Sequence, residues 1–236
     1  MSIKEIITNE LSGWKLWELT WMVIACTAIV IPSYLAGNTS LRIICGACGA
    51  ISVVLAGKGK LSCYLFGTAQ RLIYAYIAYG AMYYGEVMLN VLYFFPLEFY
   101  GVYEWYRHMN YETHEVKKRR MSVSQRWIVV GVVIVATIVY GIFLKYLNGK
   151  LPYVDSLSTI VSIVAMIVTI KMYMEQWLLW MFINAVTVGM WIYDIYTGGQ
   201  NIAILLMWSV YLINSVIMFF KWRGEVVGKT NRVCHK

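Results

Sequence analysis

Charge is scarce in this chain, and proline is scarcer. Asp, Glu, Lys and Arg together make up 14% of its 236 residues, where a soluble domain carries about a quarter. That shortage excludes an ordinary water-soluble globule. Only three prolines are present, so backbone chemistry dictates few breaks. The three histidines, His108, His114 and His235, lie far along the chain from most of the cysteines. There is no G-x-x-x-x-G-K-[ST] string, no G-x-S-x-G and no H-E-x-x-H, so nothing argues for ATP use, a serine nucleophile or a zinc peptidase. No catalytic residue, metal or cofactor is expected. Of the five cysteines, Cys26, Cys45, Cys48 and Cys63 sit in apolar segments and Cys234 in the tail. Cys45-Gly46-Ala47-Cys48 matches a C-x-x-C string, but a redox or zinc site needs a polar setting and further ligands. These thiols read as small packing groups. The first thirteen residues carry Lys4, Glu5 and Glu10 and lack the apolar core and cleavage site of a secretory signal.

What the chain has instead is apolar length. Hydrophobic residues make up 60% of it, gathered into eight segments near the ~20 residues that cross hydrocarbon as a helix. They run over about 17–36, 40–56, 61–79, 84–106, 127–147, 154–170, 174–196 and 201–222. The expectation is an all-α polytopic membrane protein. The formal net charge of +8 sits mostly in short connections, a pattern of topology rather than of nucleic-acid binding. The connection 107–126 holds Arg107, Lys117, Lys118, Arg119, Arg120 and Arg126 against Glu112 and Glu115, which places it in the cytoplasm. Alternation then puts Lys4, Lys15, Lys58, Lys60, Lys171 and the basic tail on the same side, and Arg42, Lys145 and Lys150 opposite. Both termini are expected in the cytoplasm. Trp14, Trp17, Trp21, Trp105 and Trp222 lie near segment ends and read as interfacial belt residues.

A faint repeat accompanies the spans. Offsetting the chain by 114 residues lays Gln70 on Asn184, Phe66 on Trp180 and Tyr84-Gly85 on Gly198-Gly199. Segments two to four then match segments six to eight in the same orientation, with the fifth as linker. Parallel repeats of this kind occur in transporters whose substrate binds near mid-membrane. The domain reading follows: 1–39 an N-terminal segment and extra helix, 40–106 the first three-helix repeat, 107–153 the basic loop and linker helix, 154–223 the second repeat, 224–236 the tail.

Polar groups inside spans are expensive and hence candidates for function. Trp177, Trp180 and Asn184 are spaced i, i+3, i+7 and share one helix face. Two indoles and an amide suit a flat, cationic ring with hydrogen-bonding substituents. The plain alternative for the tryptophans is again the belt. Gln70, Asn90, Glu98 and Asn214 are the other buried polar candidates. Arg71 lies about ten residues, roughly 15 Å, along the third segment, and Glu98 about eight, roughly 12 Å, from the same side along the fourth. These matched depths predict an intramembrane ion pair, which is the structural reading of Glu98; contact with a cationic substrate is the functional one. Pro96 is expected to kink the fourth helix.

Several strings together resemble the PnuC family of bacterial nicotinamide riboside transporters: Val154-Asp155-Ser156, Ser162-Ile163-Val164-Ala165-Met166, Gln176-Trp177-Leu178-Leu179-Trp180 with Asn184, and the stretch from Tyr64-Leu65-Phe66-Gly67 to Phe99-Tyr100-Gly101-Val102-Tyr103-Glu104-Trp105. The likeness covers about 40–223. It implies a seven-helix core in a 3+1+3 arrangement, similar to the SWEET sugar transporters, plus one extra N-terminal helix. It implies a homotrimer in the bacterial inner membrane and uptake of nicotinamide riboside by facilitated diffusion, with trapping by cytoplasmic phosphorylation. Trp177, Trp180 and Asn184 fall on the family's substrate positions. Glu98 is a departure, since an amide is expected there; with it, thiamin remains an alternative substrate. A non-transporting membrane receptor or scaffold is the rival from another class.

Overall fold

A backbone in hydrocarbon must satisfy its own hydrogen bonds, and apolar runs of this length do so as helices. The computed structural model describes residues 8, 10–110, 113–146 and 152–234. Lys4, Glu5, Glu112, Lys150, His235 and Lys236, weighed above for topology, lie outside the described residues. The eight expected segments are all helical: α1 (Leu16–Leu35), α2 (Ser40–Lys58), α3 (Ser62–Gly80), α4, α5 (Val123–Tyr146), α6 (Pro152–Ile170), α7 (Gln176–Tyr196) and α8 (Ile202–Cys234). Helix α4 is one rod in three parts, α-helical over Tyr84–Met88 and Phe95–Arg107 with a π-helical turn, Leu89–Phe94, between them. The last helix runs on to Cys234 rather than ending near Trp222.

Among the described residues five helices are long and apolar enough to cross a membrane: α1, α2, α5, α7 and α8 as far as Gly228. In α6 the apolar stretch Ser156–Ile170 is shorter. Helix α4 falls outside this set because its three parts are each short, and α3 carries Gln70 and Arg71 within its span. The basic connection, expected as plain loop, contains a small antiparallel hairpin, β1 (Met109–Asn110) with β2 (Glu115–Val116), in register Met109↔Val116.

The chain divides into two compact units. Residues 1–117 and 187–214 make the first; residues 118–186 and 215–236 make the second. The first has its core where α1, α2 and α3 meet the later half of α7 and the start of α8, around Ile29, Cys45, Tyr74, Trp191, Ile204 and Met207. The glycines of α2 have a packing reason. A β-carbon at Gly46 would strike Ile29, and one at Gly49 would strike Tyr211 and Met207, so small residues let the helices close up. Cys26, Cys45, Cys48 and Cys63 are free thiols.

The belt reading is corrected for three tryptophans. Trp105 and Trp222 have no exposed surface; Trp105 stands edge-on to Tyr64 at 5.1 Å and Trp222 edge-on to Trp177 at 5.7 Å. Trp21 is half-buried and donates its indole N–H to Asn214 Oδ1 at 3.0 Å. Depth along a helix cannot tell an inward from an outward indole, and these three point inward. Lys58 and Lys60, read only as charges on the cytoplasmic side, are buried at 3% and 0% exposure. Lys58 Nζ pairs with Glu18 at 2.7 Å and Glu115 at 2.9 Å and donates to the Gly13 carbonyl at 2.5 Å. Burial holds the Lys60 ammonium below the usual lysine range, against the opposing pull of Glu10 and Glu115.

The turn between α2 and α3 shows how the chain reverses. Gly59 takes a left-handed φ of 88°, open to glycine at no steric cost, and Lys60 N–H reaches back to Leu55 O at 3.0 Å. Glu10 then accepts from the free N–H groups of Leu61 and Ser62, both at 3.1 Å, and from the Ser62 hydroxyl, placing an anion at the start of α3.

In the second unit, α5 packs on α6, where Ser156 Oγ donates to Thr137 O at 2.7 Å and Gly141 makes room for Tyr153. Elsewhere α5 presents its valines and isoleucines outward; only Gly141 is buried among its residues. That is the pattern of a helix facing lipid.

Candidate functional site

The site candidates divide between the units, and each set is described in its own. In the first, α3 and α4 bring Arg71 and Glu98 together. Residues eight apart on an α-helix diverge by about 80°, whereas seven apart diverge by only about 20°. One extra residue in the π-turn lets Asn90 and Glu98 behave as if seven apart, and both are buried, at 4% and 3% exposure. Phe95 N–H closes that turn on Asn90 O, and Pro96 falls in the first turn of the α-helix that resumes. There its missing N–H costs little. The proline thus sits where the second α-helical part of α4 begins.

The ion pair expected from depth is present. Arg71 Nε donates to Glu98 Oε1 at 2.5 Å, Thr68 Oγ1 donates to Glu98 Oε2 at 3.0 Å, and the Arg71 guanidinium lies 4.3 Å above the Phe94 ring. Both carboxylate oxygens are engaged and the guanidinium is neutralised. Asn90 Nδ2 donates to Glu86 O at 2.8 Å, a bond within its own helix. Asn214 accepts from Trp21 and donates to Val53 O at 3.1 Å. Gln70 is buried one residue before Arg71, and its backbone carbonyl accepts from Cys45 Sγ at 3.7 Å.

In the second unit the start of α7 is held by Glu175, whose carboxylate accepts from Met121 N at 3.2 Å and from Arg126 Nη2 at 2.8 Å. This fixes the helix face on which Trp177, Trp180 and Asn184 follow. Trp180 is half-buried, and its indole N–H donates to Thr169 Oγ1 at 2.8 Å; Thr169 in turn donates to Ala165 O at 2.8 Å. The ring is thus oriented by α6. Asn184 is 2% exposed and donates from Nδ2 to Ser215 Oγ at 3.0 Å. Its Oδ1 has no hydrogen-bond partner among the described residues, nor do the buried Trp177 Nε1 and Gln176 Nε2. A buried polar atom left unpaired costs about 1–3 kcal/mol, so an unmet acceptor beside an oriented indole marks a place for a polar, aromatic guest. Thr169, Ser215 and Gln176 escaped the sequence reading. Their signal was faint: each is a small or neutral polar residue at the edge of, or just inside, an apolar run.

Comparison with known proteins decides the family. The family model for nicotinamide mononucleotide transporters matches residues 39–224. The chain belongs to that transporter family. It is similar to the nicotinamide riboside transporter PnuC of Neisseria mucosa, 36% identical over 89% of this chain and 82% of the relative. It is also similar to the nicotinamide riboside transporter PnuC of Haemophilus influenzae, 31% identical over 93% of this chain and 95% of the relative. Among solved structures it resembles the crystal structure of the vitamin B3 transporter PnuC, with a TM-score of 0.86 at 35% identity, over 94% of this chain and 97% of that one. Membership makes this a multi-pass membrane transporter and not an enzyme.

Proposed function

We propose that this transporter carries nicotinamide riboside, with its pyridinium on the Trp180 indole and its polar substituents on Asn184 and Trp177. The observation that carries the reading is the unmet Asn184 Oδ1 beside an oriented indole, in a chain whose relatives are named for the riboside. An indole face attracts a desolvated cationic ring by about 2 kcal/mol. The family description names the mononucleotide, which adds a phosphate. Among the proposed contacts, Trp177, Trp180 and Asn184, there is no cation to receive one; this favours the riboside. Glu98, the residue that left thiamin open, has its charge met by Arg71 and serves the packing of its own unit. Asn90, bonded within α4 to Glu86 O, and Asn214, bonded to Trp21 and Val53, serve the packing of the first unit.

The finer architecture belongs to the same reading: eight spans, both termini in the cytoplasm, and a 3+1+3 parallel repeat. The helix ends support it. Gly59 after α2 and Met172 after α6 share the left-handed φ, 88° and 60°, and in each the next N–H bonds the carbonyl five residues back, Lys60 to Leu55 at 3.0 Å and Tyr173 to Val168 at 3.2 Å. Transport is by facilitated diffusion in the bacterial inner membrane, with phosphorylation in the cytoplasm keeping the gradient. A homotrimer would use outward apolar faces such as that of α5. The test is uptake of labelled riboside into proteoliposomes: saturable flux is expected for the native protein and none for Trp180→Ala. Binding without flux in the native protein would return the receptor reading.

A further inference from the structure

A cavity of about 400 Å³ opens in the second unit where the basic connection meets the starts of α5 and α7 and the middle of α8. Three guanidiniums line it, those of Arg120, Arg126 and Arg223, against one carboxylate, Glu175. Arg126 is spent on Glu175 at 2.8 Å. Arg120 and Arg223 are exposed and have no hydrogen-bond or ion-pair partner among the described residues. The rest of the lining is apolar: Val129 and Val130 of α5, Leu178 and Leu179 of α7, Phe219 of α8. Helix α5 begins here and turns its apolar side chains outward, so the cavity lies at the membrane edge on the side of the basic connection. Two unmatched cations above an apolar cleft match an anionic amphiphile, with phosphate at the rim and chain below.

We infer that this cleft is a binding site for an acidic phospholipid, its phosphodiester held by Arg120 and Arg223 and an acyl chain laid along Val129, Val130 and Phe219. Arg126 and Glu175 build the floor, since the same carboxylate also holds Met121 N–H and the start of α7. Bound lipid would brace that start. The site is independent of the riboside reading and uses none of its residues.

The test compares lipids on the purified protein in detergent. Native mass spectrometry and thermal unfolding are followed with phosphatidylglycerol or phosphatidylcholine added. Retention and a raised Tm with phosphatidylglycerol alone are expected. Arg120→Gln with Arg223→Gln, both exposed and unpaired, should fold and weaken phosphatidylglycerol binding by roughly thirty-fold, taking both cationic contacts away. A charge-matched control, Lys117→Gln with Lys145→Gln, lies outside the cavity and should bind as the native protein does. Equal loss in the control, equal retention of phosphatidylcholine, or unchanged binding in the arginine variant would overturn the site. So would displacement of the lipid by glycerol phosphate or inorganic phosphate at matched concentration, which would mark a free-phosphate site instead.

Discussion

Two buried polar clusters of this transporter meet opposite ends. On α3 and α4, Glu98 has both oxygens occupied, by Arg71 and Thr68. On α7, Asn184 has its amide N–H on Ser215 and its oxygen on nothing among the described residues. Both groups are costly inside a membrane. The first cost is met within the fold and the second is left open. A buried polar group thus points to a ligand when its hydrogen-bonding capacity exceeds what the neighbours supply, and to architecture when it does not. By this measure the charged residue, the more conspicuous one in the sequence, is structural.

That contrast can be broken, and the largest effect should come from the satisfied side. Arg71→Ala leaves Glu98 buried and uncompensated, a loss of about 3–5 kcal/mol; thermal unfolding should show a much lower Tm or no folded protein. Adding Glu98→Gln should recover most of it, and failure to recover would mean that the pair does more than neutralise itself. On the open side the effects should separate. Asn184→Leu removes an unmet acceptor along with its bond to Ser215, so Tm should stay within a few degrees while riboside binding falls by roughly 30-fold or more. A large drop in Tm with unchanged binding would reverse the assignment of the two clusters. Asn214→Ala breaks the bonds to Trp21 and Val53 and should cost about 1–2 kcal/mol of stability, with binding within a few-fold of native. Smallest of all, Thr169→Val frees the Trp180 indole N–H without touching substrate. It should weaken binding by roughly 3–10-fold, about the worth of one hydrogen bond, and calorimetry should show that loss with Tm nearly unchanged.

Much of the fold could be read from the chain before any coordinates, because membrane helices announce themselves by apolar length. The eight segments and the Arg71–Glu98 pair needed only counting along a helix. The failures share a cause. The π-turn of α4 adds one residue that no periodicity reveals, so the alignment of Asn90 with Glu98 was missed. Trp105 lies near a helix end and Trp222 near the end of an apolar run, as belt residues do, yet both face inward; rotation about the helix axis is set by neighbours, and the sequence of one helix does not contain them. Lys58 was legible as a charge but not as a partner, since Glu18 and Glu115 are distant in sequence. At the candidate site the large groups, Trp177, Trp180 and Asn184, stood out. Thr169 and Ser215, which orient them, are of a size and polarity that apolar helices carry for many reasons.

Titration calorimetry of the purified protein with nicotinamide riboside and, separately, nicotinamide mononucleotide tests the central claim most directly. The account predicts saturable binding of the riboside, at least tenfold weaker binding of the mononucleotide, and loss of riboside binding in Asn184→Leu at an unchanged Tm. Equal or tighter binding of the mononucleotide, or riboside binding that survives Asn184→Leu, would contradict it.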